Sequence, residues 1–235
     1  MRILSLGLLS LAVLLLVTCK PDKEEPEPNN SSYLNPNLTY GSVTDIDGNS
    51  YKTIKIGTQT WMAENLRVTR LINGDSLTKL DPNGLTTSPL NYSFYQNDST
   101  YKESLGNLYS YYLLYQELCP SGWYVPTERE WASLTDYLGG LSIAGGKMKS
   151  TSNLWQIPNS AATNESGFSA IPGGYRNGLT FGDLGYSVSY ACLSEYSTVL
   201  HPVFTLSFDN GKLSKIWTDK NVDLDGYYIR CVKAD

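Results

Sequence analysis

Histidine is all but missing from this chain of 235 residues: His201 stands alone, which removes any metal centre built on two imidazoles. Basic residues are also in short supply, with 18 Lys and Arg against 23 Asp and Glu and a formal charge of −5. Binding to phosphate backbones needs a clustered basic surface, so this balance argues against a nucleic-acid partner. After the first 17 residues there is no apolar run long enough to span a bilayer, and there is no internal repeat. A phosphate-cradling loop is lacking as well: Gly173-Gly174-Tyr175-Arg176 has neither the lysine nor the following helix of such a loop. It reads instead as a structural turn that carries Arg176 into a buried hydrogen-bond network.

What is present at the start is an export signal. Met1-Arg2 gives a short positive flank, and the apolar stretch Ile3 to Val17 is shorter than a membrane span. Leu16-Val17-Thr18-Cys19 resembles a bacterial lipobox, although Thr18 stands where Gly, Ala or Ser is usual, so Cys19 is the expected lipidation site. Residues 1–18 are read as the signal peptide, 19–39 as an acidic, proline-rich tether with too few apolar residues to form a core, and 40–235 as one domain. The acidic run after Cys19 resembles the signal that sends Bacteroidetes-type lipoproteins to the outer face of the outer membrane. Glu27-Pro28-Asn29 matches a calcium and sugar tripeptide of C-type lectins, but it lies in the tether, away from any scaffold.

Along the domain, Val43 to Gly57 alternates apolar and polar residues around Asp47-Gly48, which predicts a β-hairpin. The Asp45, Asp47, Asn49 spacing imitates an EF-hand start without its closing glutamate. A strand is expected from Gln59, followed by a turn-rich and variable stretch from Thr69 to Ser104. Leu108, Tyr111, Tyr112, Tyr115 and Leu118 recur at helical spacing and predict an amphipathic helix over 108–118. Cys119 then leads through Trp123 and Val125, a half-buried strand, to Thr127-Glu-Arg-Glu130, a capping box. Trp131, Leu134 and Leu138 share one face of the helix that follows, and Gly139-Gly140 stops it. Val203 to Phe208 alternates, Asn210-Gly211 turns, Leu213 to Trp217 returns, and Tyr227 to Lys233 closes the fold. Two helices with strands at both ends make an α+β domain, mostly antiparallel, whose termini meet in one sheet.

Four cysteines are available. With Cys19 assigned to lipid, Cys119, Cys192 and Cys231 leave an odd number in an exported protein, and three pairings are open.

Several segments resemble one family in one order. They are Asp45-Ile-Asp-Gly-Asn-Ser-Tyr, Ile56-Gly-Thr-Gln-Thr-Trp-Met-Ala-Glu-Asn-Leu, Gly106-Asn-Leu-Tyr, Cys119-Pro-Ser-Gly-Trp-Tyr-Val-Pro-Thr-Glu-Arg-Glu-Trp, Gly145-Gly-Lys-Met-Lys-Ser, Ser166-Gly-Phe-Ser-Ala-Ile-Pro-Gly-Gly-Tyr-Arg and Ile229-Arg-Cys-Val-Lys. Together they are similar to the Fibrobacter succinogenes major paralogous domain. The resemblance implies a C-type-lectin-like fold, distantly similar to the sulfatase-modifying, formylglycine-generating family. It also selects a Cys119–Cys231 bridge, because both cysteines border matching segments, and leaves Cys192 as a small buried substitute. The family is mostly known as a surface lipoprotein domain without an assigned activity.

Catalytic readings fare poorly on the residues. Formylglycine-generating enzymes hold copper with two closely spaced late cysteines, whereas Cys192 and Cys231 lie far apart. His201 is expected at a strand start as a capped or partly exposed structural residue, and a dyad with Cys192 would need a long hairpin. The acid pairs Asp223 and Asp225, and Glu128 and Glu130, read as a turn and a helix first turn. Asp219, Asn221, Asp223 and Asp225 form an oxygen-rich loop that is the candidate calcium site, beside Trp217-Thr-Asp219, an approximation to a lectin signature. The chain is therefore expected to be a non-enzymatic, lipid-anchored surface protein for binding, adhesion or display. Its ligands would be glycan or protein, with no cofactor beyond that calcium. A structural envelope component and a divergent sulfatase-modifying-like enzyme are the alternatives.

Overall fold

The late segment of the chain is the seam that joins everything else. In the computed structural model, which describes residues 33–86, 88–194, 200–219 and 225–234, thirteen strands are grouped in three sheets. In chain order they are β1 (Gly41–Thr44), β2 (Ser50–Ile56), β3 (Gln59–Met62), β4 (Thr78–Lys79), β5 (Asn91–Ser93), β6 (Leu108–Tyr109) and β7 (Trp123–Tyr124). Then come β8 (Gly173–Asn177), β9 (Thr180–Leu184), β10 (Ser187–Ala191), β11 (Leu200–Ser207), β12 (Ser214–Asp219) and β13 (Val232–Lys233). The first sheet runs β1-β2-β3-β13-β7, the second β12-β11-β10-β8-β9, and the third β4-β5-β6. Val232 pairs with both Trp61 and Tyr124, Tyr228 bridges Tyr190 in the second sheet, and Tyr227 bridges Tyr109 in the third. The α+β class and the meeting of early and late strands in one sheet are as expected. Among the described residues no helix is long and apolar enough to cross a membrane.

The β1–β2 hairpin shows why Asp47-Gly48 turns. Gly48 takes a positive φ of 84°, and the Asp45 carboxylate accepts the main-chain N–H groups of Asp47 and Asn49 at 2.9 Å each and the Tyr51 hydroxyl at 2.6 Å. Asp47 in turn accepts from the Thr69 N–H and the Arg70 guanidinium, both at 2.6 Å. The EF-hand-like spacing thus serves to build the turn and fix the next loop.

The described residues hold three α-helices, α1 (Tyr101–Leu105), α2 (Glu128–Tyr137) and α3 (Leu141–Met148), where two were expected. Helix α2 starts as the sequence predicts. The Arg129 N–H donates to the Thr127 side chain, and the Glu130 carboxylate accepts from the Thr127 N–H at 2.7 Å. Trp131 is fully buried against Phe204 (4.5 Å, stacked), Trp61 (5.2 Å), Tyr190 and Phe168. Gly139-Gly140 ends α2 but not helical structure, because α3 follows directly. Glycines inside α3 argue against a helix on propensity, yet they are what lets it pack. A Cβ on Gly145 would lie 2.1 Å from the Lys212 carbonyl oxygen, and one on Gly146 would lie 2.4 Å from that of Ala161.

Two other expectations are corrected. Residues 108–118 form no α-helix: Leu108–Tyr109 is strand β6, and Tyr111–Tyr115 is a single 3-10 segment. Tertiary pairing outcompetes the local pattern, since Tyr109 exchanges main-chain hydrogen bonds with Tyr227 and gives its hydroxyl to the Val68 carbonyl at 2.8 Å. The stretch Thr69 to Ser104 is not loop throughout, because β5 within it is wholly buried. Gly173 to Arg176 is likewise strand β8, although Arg176 does enter a buried network as predicted.

Buried cations stitch the irregular segments. The Lys149 ammonium donates to the carbonyls of Ser160 (2.9 Å), Ser207 and Asn210 (2.8 Å each). The Arg230 guanidinium donates to Asn65 Oδ1 (2.6 Å) and to the carbonyls of Met62, Phe168 and Ser169, and it lies over the Phe168 ring. At the other end, Tyr33, Leu34 and Leu38 pack against the main core.

Candidate functional site

Polar and aromatic side chains gather where the 3-10 segment Tyr111–Tyr115, the β11–β12 hairpin and the Asp225–Tyr228 stretch converge. Strand alternation places His201 and Val203 of β11 on the side of Tyr111 and Tyr227. Of the two alternatives expected for His201, capped or partly exposed, the second does not hold: it is 1% exposed, its ring stacks on Tyr111 at 3.9 Å and it meets Tyr227 edge-on at 5.2 Å. Its Nε2 lies 2.7 Å from Thr218 Oγ1, across the β11–β12 ladder, where His201 pairs with Thr218. The Tyr227 hydroxyl reaches Thr218 Oγ1 and Asp225 Oδ2, each at 3.4 Å. Asp225 Oδ1 accepts the Gly178 N–H at 3.0 Å, and Arg176 Nη2 donates to the Asp225 carbonyl and to Asn91 Oδ1. On the outer side, the Tyr111 and Tyr115 hydroxyls are hydrogen-bonded and Tyr115 is 51% exposed. A relay of contacts thus runs from a solvent-facing tyrosine to a buried arginine, hydrogen-bonded on either side of the Tyr111–His201 ring stack.

Burial governs the acid–base character of this relay. Desolvation pushes the Tyr227 hydroxyl up to about 12, with the Asp225 carboxylate adding to the rise. Tyr111 is raised by burial and by its bond to Tyr115. Asp225 is raised by desolvation, against the opposing pull of the Gly178 N–H, Tyr227 and Arg176. Arg176 is drawn down to about 10 by burial. At neutral pH the two raised tyrosines therefore keep their protons, and the Tyr227 hydroxyl donates. Arg176 is 1% exposed, and its Nε and Nη1 have no hydrogen-bond partner among the described residues.

The other predicted residues are distributed as follows. Cys119 and Cys231 form a disulfide spanning 112 residues, tying the entry to β7 to the entry to β13. The β10–β11 hairpin does bring Cys192 level with Pro202, beside His201, but the pleat separates them. Cys192 is fully buried in the Trp131 cluster with Tyr190 and Phe204, on the face opposite His201. Glu128 is buried and holds Lys215 Nζ at 2.8 Å, while Glu130 closes the capping box. Of the candidate calcium ligands, Asp219 ends β12, Asp225 is engaged as above, and Asn221 and Asp223 lie outside the described residues. So do Cys19 and the tether stretch with Glu27-Pro28-Asn29. Among the described residues no group of three or more His, Cys, Asp or Glu is placed to hold a metal.

Sequence reasoning missed Lys149 and Arg230 as organising groups. A signal existed for the second, since Arg230 interrupts the apolar run Tyr228-Ile229-Arg230-Cys231-Val232. The His201–Thr218 link had none, because 17 residues and an unforeseen register separate the partners.

No curated protein and no solved structure matches the chain. The sequence model of the Fibrobacter succinogenes major domain matches residues 54–233, which run from within β2 to β13 and hold the disulfide, the Trp131 cluster and the whole relay. The chain therefore belongs to the Fibrobacter succinogenes major domain family.

Proposed function

We propose that this protein is a lipid-anchored component of the outer-membrane surface whose domain binds a glycan or protein ligand and performs no catalysis. The observation that carries the reading is where the reactive side chains have gone. His201, Cys192, Glu128 and Arg176 are all buried and committed to packing or hydrogen bonds within the fold. What the same region turns outward is the Tyr115 ring, backed by Tyr111 and the His201 ring stacked on it. An exposed aromatic face held in place by the rings behind it suits stacking on a sugar ring or a flat side chain. The signal sequence, Cys19 and the tether supply the anchor and the reach.

Two experiments test this. A soluble chain beginning at Lys20, applied to a glycan array, is expected to bind saturably and to lose most of that binding in Tyr115→Ala; a flat array would remove the glycan arm. Labelled palmitate is expected to enter the full-length chain and disappear in Cys19→Ala, and undiminished labelling of the variant would remove the anchor.

A further inference from the structure

The end of the stretch read as tether is docked on the domain. Residues 33–40 lie ahead of the segment that matches the family, yet Tyr33, Leu34, Leu38 and Tyr40 pack against the main core. An amide clasp holds this strap: Asn35 Nδ2 donates to the Asn164 carbonyl at 3.0 Å, and Asn164 Nδ2 donates back to the Tyr33 carbonyl at 3.1 Å. The Tyr40 hydroxyl accepts the Asn35 N–H at 3.0 Å and lies 3.2 Å from Ser169 Oγ. Leu38 sits over Gly167, where a Cβ would lie 2.8 Å from Leu38 Cδ1. Among the described residues each hydrogen bond between strap and domain uses a side chain, and no main-chain ladder joins them.

What the strap covers is unlike the core. Tyr33 shares a cleft with Leu105, Ile171, Glu64, Arg67, Glu103 and Arg230, and the space left there is about 10 Å³, no more than one water. The Tyr33 hydroxyl donates to Glu64 Oε1 at 3.1 Å. Burial, with Glu64 beside it, raises that hydroxyl above its ordinary pKa, so it stays a donor at neutral pH. Lifting the ring would strand no charge. Glu64 keeps the Lys52 N–H and has Arg67 Nη1 at 4.0 Å, while Arg67 Nε keeps its ion pair with Glu103 at 3.1 Å.

We infer that residues 33–40 are a releasable strap and that Tyr33 is the plug of a cleft that takes a hydroxyaryl group. The strap lifts while the domain stays folded, and the phenol of another molecule then replaces the Tyr33 ring, its hydroxyl donating to Glu64. Contacts made only through side chains put the strap at the low-stability end of local opening. Charges that stay paired without the ring make the open cleft tolerable in water. The ligand chemistry is read from the occupant: Tyr33 shows that the cleft accepts a phenol, whether free or carried by a tyrosine in a peptide. Because the cleft is shut most of the time, binding is weakened by the closed fraction, and whatever draws the strap away raises the affinity. The cleft shares no residue with the Tyr115 face.

The test is thiol labelling of the full-length chain in native buffer, with the modified positions read by peptide mass spectrometry. Ile171→Cys puts a thiol in the cleft at a position 2% exposed, and the native Cys192, buried in the Trp131 cluster, reports opening of the core. Position 171 is expected to react roughly tenfold faster than Cys192, because the strap opens more often than the core. Adding Tyr33→Ala is expected to speed position 171 by a further factor of about ten and to leave Cys192 unchanged. In that double variant 4-methylphenol slows position 171 severalfold, and toluene, which has no hydroxyl for Glu64, slows it less. With Asn35→Ala added to free the clasp, a synthetic peptide of residues 33–40 protects at lower concentration than 4-methylphenol if the cleft takes a tyrosine within a chain, and at no lower concentration if it takes a free phenol. Position 171 reacting only in step with Cys192, an unchanged rate in Tyr33→Ala, or 4-methylphenol protecting no better than toluene would each overturn the assignment. Leu105→Cys, 4% exposed in the same cleft, repeats the measurement should Ile171→Cys lose the Cys119–Cys231 bridge.

Discussion

Two parts of the interior are held together by different physics. Around Trp131, helix α2 meets the second sheet through rings: Phe204 stacked, Trp61, Phe168 and Tyr190 inclined around it. Along the seam between the sheets, loops without regular structure are held by Lys149 and Arg230, whose donors are aimed at main-chain carbonyls. Ring packing depends on volume and tolerates a similar shape, whereas a guanidinium with assigned acceptors tolerates only itself. The difference explains how a domain with so little helix stays compact. Where no ladder satisfies the carbonyls, a buried cation does, and each cation fixes three or more segments at once.

Substitutions sharpen the contrast. Arg230→Ala strands the Met62, Phe168 and Ser169 carbonyls and Asn65, and is expected to cost about 5 kcal/mol in urea unfolding. Arg230→Lys should rescue little of that, and substantial rescue would erase the distinction between the two regions. Trp131→Ala is expected to cost about 4 kcal/mol by leaving a large cavity, and Trp131→Phe appreciably less. Lys149→Met, which keeps the stem and deletes three donors, is expected to cost about 3 kcal/mol at pH 7.

The same lysine carries a pH signature. Burial draws its folded pKa to about 8 from 10.5, so between those values the unfolded chain binds the extra proton. Stability contributed by the group is flat below pH 8 and rises from there toward 10.5. The gap between wild type and Lys149→Met should widen over that window, and a gap that narrows would reverse the assignment. The smallest effect belongs to Thr127→Ala, about 1 kcal/mol from the lost cap, measurable as a modest drop in urea midpoint.

Legibility in the sequence followed the range of the interactions. Asp47-Gly48, the Thr127 to Glu130 box and the alternation through Val203 to Phe208 each encode their structure within a few residues, and each formed as read. Residues 108–118 carried a helical spacing as good as that of α2 but no cap, and a partner over a hundred residues away claimed the Tyr109 main chain. Helix α3 was hidden by its own glycines, whose purpose becomes visible only once the Lys212 and Ala161 carbonyls are in place. The candidate site was the least readable part. His201, Tyr111, Thr218 and Tyr227 come from separate stretches, and nothing local to any of them announces the others.

The closing segment also has a consequence in time. Arg230 bonds across 168 residues to Met62, and Val232 zips together β3 and β7. A chain emerging in order from a ribosome or a translocation pore therefore carries an open seam until these residues arrive. Strands β3 and β7 have no partner between them until β13 arrives, so the first sheet is completed only by the last residues made.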